Sequence, residues 1–298
     1  MSAIASSVAP RLKSILVATD FSEASQKPLR HALAIARHYG AKLYLAHVVS
    51  SLGFTLAGAD ALNAATEAAK RDANHLETRL VESGALAGLH HEFIVGQGAV
   101  WEVLNQVIRQ KQVDLIVNGT HGRRALRKVL LGSVAEQIFR YADCMVFTVG
   151  PGSYQESRVD NLLPNRTFLF LTDFTEASLH ALPYAISYAN QFGAKLVLLH
   201  VLPIAPNPKS LLYKAALQGL EEVTRNSRLE VKPEFVVEFC PAGPISEKIL
   251  EAAEQLKVDL IIMGLCRSRH VEASSHVPWG TAYEVVCSAG CPVVTVRR

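Results

Sequence analysis

Long hydrophobic runs, an excess of charge of one sign and a cysteine framework are all missing from this chain of 298 residues. No stretch reaches the ~20 apolar residues that a membrane-spanning helix needs, so a soluble protein without a membrane partner is expected. Basic and acidic residues nearly cancel, leaving a net charge of +3. That field is too mild to point by itself to nucleic acid. The five cysteines are an odd number without framework spacing, which fits a reducing cytoplasm rather than secretion. Cys287 and Cys291 lie four apart but lack the second close pair of a zinc site, so no metal site is assigned. Met1 to Pro10 has neither the basic start nor the apolar run of a signal peptide. There is no Gly-x4-Gly-Lys-Ser/Thr loop, and no His/Asp/Ser constellation follows from the spacing, so no catalytic residue is assigned. The first strand runs into Thr-Asp-Phe-Ser rather than Gly-x-Gly-x-x-Gly, which argues against a dinucleotide oxidoreductase.

What the chain does have is itself, twice. Ala18-Thr-Asp20-Phe-Ser-Glu-Ala-Ser25 returns as Leu171-Thr-Asp173-Phe-Thr-Glu-Ala-Ser178. Gly40-Ala-Lys-Leu43 returns as Gly193-Ala-Lys-Leu196, and His47 as His200, all at one offset of 153 residues. Val113-Asp-Leu-Ile116 matches Val258-Asp-Leu-Ile261, and the final strands agree from Cys144 and from Cys291. These repeats predict a duplicated domain over residues 1–150 and 166–298, joined by a linker at 151–165 rich in Gly, Pro, Ser and Asn. In the first copy, short apolar runs predict strands at Ser14–Thr19, Lys42–Val49, Glu92–Val95, Asp114–Asn118 and Met145–Val149. Between them, apolar spacings of three and four predict helices at Pro28–Tyr39, Asp60–Ser83, Val100–Gln110 and Val134–Tyr141. Strands alternating with helices imply an α/β fold, a parallel sheet with helices on both faces. Ligands in such sheets sit at the carboxyl ends of the strands.

Gly119-Thr-His-Gly122, nine residues and then Gly132-Ser133 follow the fourth strand. Glycines let the backbone approach a ligand closely. Ser133-Val-Ala-Glu136 reads as a helix start with a capping box, repeated at Thr281-x-x-Glu284. Free amides at a helix N-terminus make a place for phosphate. With Asp20, this pattern resembles the ATP-binding signature of the universal stress protein family, over nearly the whole chain as two tandem copies. The resemblance implies two Rossmann-like domains, each a five-stranded parallel sheet of order 3-2-1-4-5, with nucleotide across strands one and four. It implies adenine and ribose near Asp20, Val48 and Gly119, and phosphates on Gly122, Gly132 and Ser133, with Asn118, Val134 and Ala135 adjoining. ATP is the implied cofactor, with Mg2+ bound through the phosphates. It also implies pairing of the last strands of the two domains as an intramolecular pseudo-dimer, with a homodimer of the whole chain open.

Duller readings stand beside these. Asp20, with Ser22, caps the following helix as readily as it contacts a ligand. Arg123 directly follows Gly122 and is placed to supply charge to a triphosphate; the run on to Lys128 reads equally as a solvated face. It lacks the interleaved aromatics of a nucleic-acid surface. The second copy departs from the pattern: Arg267 stands where the second glycine belongs, and twelve residues rather than nine separate it from Gly280. That copy is expected not to hold ATP. Three functions follow: a nucleotide-dependent regulator of stress adaptation in the cytoplasm, a slow ATPase or phosphotransferase, or a nucleotide-free interaction module.

Overall fold

The computed structural model describes residues 12–120, 131–150, 166–266 and 280–298. The chain divides into two compact units, one over 11–151 and the other over 152–298. In the first, β1 (Ser14–Ala18), β2 (Lys42–Ser50), β3 (His91–Gly98), β4 (Leu115–Gly119) and β5 (Met145–Val149) alternate with α1 (Gln26–Tyr39), α2 (Gly58–Glu82), α3 (Val100–Gln110) and α4 (Ser133–Tyr141). All its strands pair in parallel, in the order β3-β2-β1-β4-β5. The second unit repeats this with β6 (Thr167–Leu171), α5 (Glu176–Phe192), β7 (Lys195–Leu202), α6 (Leu211–Thr224), β8 (Glu234–Phe239), α7 (Ile245–Gln255), β9 (Leu260–Leu265), α8 (Gly280–Ser288) and β10 (Val293–Arg297). Its order is β8-β7-β6-β9-β10, again parallel. The expected fold class and strand order are what the structure has.

Consecutive buried residues explain why the central strands sit inside. Ile15, Leu16 and Val17 in β1, and Leu169 and Phe170 in β6, are fully buried. Successive side chains point to opposite faces, so both faces of the sheet are covered. The repeated aspartate before the fourth strand of each unit has a backbone task. Asp114 Oδ2 accepts the amides of Lys13 (2.7 Å) and Ser14 (3.0 Å), and Asp259 accepts that of Thr167 (2.9 Å). Each thereby ties the start of the first strand to the start of the fourth. α1 and α5 both stop at a glycine in the left-handed region, Gly40 (φ +62°) and Gly193 (φ +56°), the conformation that closes helices at low steric cost.

β3 runs to Gly98, beyond the expected Glu92–Val95, because Gly96 and Gly98 keep pairing with Val48 and Ser50. A glycine is needed at 96 for close packing: a Cβ there would sit 2.5 Å from Cγ1 of Val103 on α3.

Candidate functional site

The site is built where β1 and β4 end. The two strands are neighbours, with Val17 beside Val117. β1 also lies against β2, with Ala18 beside Ala46 and the Thr19 amide on the Ala46 carbonyl at 3.0 Å. Two residues further along each strand stand Asp20 and Val48. Val48, with Ala18 and Val134, packs against the core cluster that holds Leu16, Tyr44, Ile116 and Ile138.

Beyond β1 the chain makes a tight turn. Phe21 lies at φ +59°, a conformation rare for a bulky side chain. Three contacts hold it there. Its amide donates to the Thr19 hydroxyl at 3.0 Å, its ring packs on that of His47 at 4.7 Å, and His47 Nδ1 meets the Thr19 carbonyl at 2.8 Å. Asp20 Oδ1 accepts the Ser22 amide (3.0 Å) and the hydroxyls of Ser22 and Ser25 (2.5 Å each). The cap-like use of Asp20 is therefore present: it organises the turn and the short 3-10 helix Glu23–Ser25 that leads into α1. The second unit repeats the device. Phe174 has φ +63°, its amide donates to the Thr172 hydroxyl at 3.0 Å, and its ring lies 4.7 Å from that of His200. Burial opposes ionisation of Asp173, but hydrogen bonds from the Thr175 hydroxyl and amide prevail and hold its carboxyl below the ordinary range.

The start of α4 is pinned to the end of β4 through Thr120. Its amide donates to the Val149 carbonyl (3.1 Å) and its carbonyl accepts the Gly132 amide (2.7 Å). Gly132 is the N-cap, at φ −61° and ψ 154°, and its carbonyl accepts the Glu136 amide at 2.8 Å. Ser133 is consequently the first residue of the helix and not its cap. The expected capping box is absent. Glu136 instead pairs with Arg140 one turn on at 2.5 Å, and in the second unit Glu284 accepts the Ser246 hydroxyl from α7. The reason is geometric: the chain enters α4 anchored by backbone bonds to Thr120, which leaves the serine one position inside the helix. The amides of Ser133, Val134 and Ala135 meet no acceptor among the described residues. Three donors at the positive end of a nine-residue helix are thus left without a partner among the described residues.

Of the ten expected ligand residues, the structure brings Asp20, Val48, Asn118, Gly119, Gly132, Ser133, Val134 and Ala135 to the carboxyl edge of one sheet. Gly122 and Arg123 lie outside the described residues. Asn118 is almost fully buried, takes the Thr148 hydroxyl at 3.4 Å and donates to the Gly119 carbonyl at 3.1 Å. It has work within the sheet. Sequence reasoning passed over Thr19, Thr120 and Ser25, whose hydrogen bonds shape the turn and the helix entry; only the exact repetition of Thr19 as Thr172 and of Ser25 as Ser178 signalled two of them.

Two glycines of the second copy correspond to motif glycines of the first. Gly264 stands in β9 opposite Val296, as Gly119 stands opposite Val149 at the end of β4. A Cβ at 264 would lie 2.0 Å from the Ala177 carbonyl oxygen, so this glycine is required for the approach of α5. Gly280 is the first residue of α8 at φ +42°, whereas Gly132 precedes α4 in an extended conformation.

The universal stress protein family profile matches residues 11–150 and again 164–297. A universal stress protein of Methanocaldococcus jannaschii is 31% identical over 143 residues, which cover 46% of this chain and 81% of that protein. A second from the same organism is 28% identical over 162 residues, covering 46% of this chain and 94% of its own. Among solved structures, a universal stress protein from Archaeoglobus fulgidus superimposes with a TM-score of 0.69 at 21% identity, over 96% of this chain and 98% of that one. At that identity the likeness establishes the fold alone.

Proposed function

The chain belongs to the universal stress protein family, and from that premise we propose that it is a nucleotide-binding regulator of stress adaptation that holds ATP in its first domain. The observation that carries this reading is the trio of amides of Ser133, Val134 and Ala135 beside the end of β4, which meet no acceptor among the described residues. Backbone donors at a helix N-terminus suit phosphate oxygens, because the donors and the helix dipole both favour negative charge. The Asp20 turn after β1, the strand next to β4, and Val48 on β2 beyond it offer a carboxylate and an apolar wall for a nucleoside. Gly122 and Arg123 enter from sequence alone, one allowing close approach and the other supplying positive charge. No cluster of metal-binding side chains occurs among the described residues; a magnesium ion would ride on the phosphates. The second domain, with Arg267 in place of a glycine, serves as a partner that takes no ATP. Regulation follows if bound nucleotide favours one conformation or assembly over another.

Acid extraction of the purified full chain, with mass identification of what is released, and titration with ATP test this reading. Gly122→Arg, which imposes the second copy's residue, should weaken ATP binding at least about tenfold, a loss of about 1.4 kcal/mol, with unliganded melting unchanged. ATP turnover should stay at background. An empty extract together with no titratable binding overturns the proposal in favour of a nucleotide-free module.

A further inference from the structure

Seven large apolar side chains are strongly exposed among the described residues, and four of them are leucines at one repeated place. That place is the crossover from the second strand to the second helix of each unit. In the first unit, Leu52 lies in the short 3-10 turn Ser51–Phe54 and Leu56 just after it, 78% and 103% exposed. In the second, Leu211 and Leu212 open α6 and are 82% and 56% exposed. Single exposed leucines are ordinary. Pairs of them at the same junction of both copies point to a contact surface.

Each crossover is fixed by its own contacts. Tyr213, beside the leucines of α6, stacks on Phe239 with centroids 5.5 Å apart, and its amide donates to the Ser210 hydroxyl at 3.1 Å. Before it, Pro203, Pro206 and Pro208 restrict the backbone. In the first unit the Thr55 hydroxyl donates to the Leu52 carbonyl at 2.9 Å, and the Ala57 amide to the Phe54 carbonyl at 3.0 Å. Surfaces ordered beforehand lose little freedom on binding. The charges of the two crossovers are opposite in sign. From Val48 to Thr66 the one charged residue is Asp60, in the first turn of α2. From Pro203 to Leu220 the charged residues are Lys209 and Lys214. None of the three has an ion-pair partner among the described residues.

We infer that a second copy of this chain covers these leucines, the second-unit crossover of one copy seating on the first-unit crossover of the other. Leu211 and Leu212 of one copy then lie on Leu52 and Leu56 of its neighbour, with Lys209 and Lys214 facing Asp60. Pairing of like with like is disfavoured. Two first-unit crossovers would oppose Asp60 with Asp60, and two second-unit crossovers would gather their lysines without an acid. The two crossovers are the same junction of one repeated fold, so the contact is close to self-complementary in place but not in charge. It is small, and so belongs to the weak and transient class.

The test is sedimentation velocity of the full chain at concentrations up to roughly 0.1 mM. Wild type should associate reversibly as concentration rises, and less so in high salt. Leu52→Ser with Leu56→Ser, and separately Leu211→Ser with Leu212→Ser, should each weaken association at least about tenfold. Melting and far-UV circular dichroism should stay those of wild type, because all four side chains are exposed. Mixing the two double variants should restore a one-to-one complex, since one keeps the second-unit crossover intact and the other the first-unit crossover. Asp60→Lys should weaken association about threefold. A wild type that stays monomeric overturns the inference. So does either double variant associating alone as wild type does, or a mixture no more associated than its components. None of these outcomes depends on whether the first domain holds ATP, which titration of the same variants reads separately.

Discussion

Gly264→Ala separates the structural use of a motif glycine from its use in binding. The added Cβ would lie 2.0 Å from the Ala177 carbonyl oxygen, 2.6 Å from the Ala177 carbonyl carbon and 2.7 Å from the Ser178 Cα. These are backbone atoms of the first turn of α5 and cannot swing away as a side chain would. Ordinary contact begins at 3.4 Å, so α5 would have to retreat by about 1.4 Å. That helix is anchored by Ala181, Leu182 and Ala185, all essentially fully buried, and a retreat would open gaps around them in a close-packed interior. Overpacking of a core costs about 1–3 kcal/mol, and a clash of backbone on backbone belongs at the upper end, about 3 kcal/mol. At roughly 2–4 °C per kcal/mol for a unit of this size, the second domain should melt about 10 °C lower. Hydrogen exchange resolved over β9 and β10, alongside urea denaturation, reads the effect within that domain. A loss below about 1 kcal/mol would refute the argument that the first motif glycine is retained for helix approach.

Other consequences are equally direct. Asp114→Ala strips the amides of Lys13 and Ser14 of their acceptor; hydrogen bonds to a charged group are worth about 1.5–3 kcal/mol, so chemical denaturation should show a loss of about 2 kcal/mol. Glu92 is held below its ordinary range by hydrogen bonds first from Lys111 and then from Lys42, against some burial. A depressed carboxyl contributes stability above its unfolded value that is lost as pH falls through the folded value. The acid limb of the stability curve should therefore flatten in Glu92→Gln by about 0.5–1 kcal/mol, since Glu92 and both lysines are substantially exposed. An unchanged limb would show that the two lysines contribute nothing to folding.

The duplication and the alternation of strands and helices were legible in the sequence, because buried parallel strands must be continuous apolar runs and repeats expose their own alignment; the strand order came from the family resemblance. β1, β5 and α3 fall within a residue of their expected bounds. Side-chain partners were not legible. Ser133 and Glu136 have the spacing of a capping box, yet the box does not form, because the Thr120 carbonyl, thirteen residues before Ser133, sets where the helix begins. Asn118 reads as a ligand neighbour until Thr148 of the adjoining strand is seen beside it.

Periodicity and repetition by themselves determined which segments are strands and helices and that one domain is written twice. Only the tertiary structure decided that Gly264 stands under α5 and that three amides of α4 meet no acceptor among the described residues. The physical reason is that secondary structure answers to local spacing. Room, hydrogen-bond partners and unbalanced charge arise from atoms that meet only after distant segments have packed.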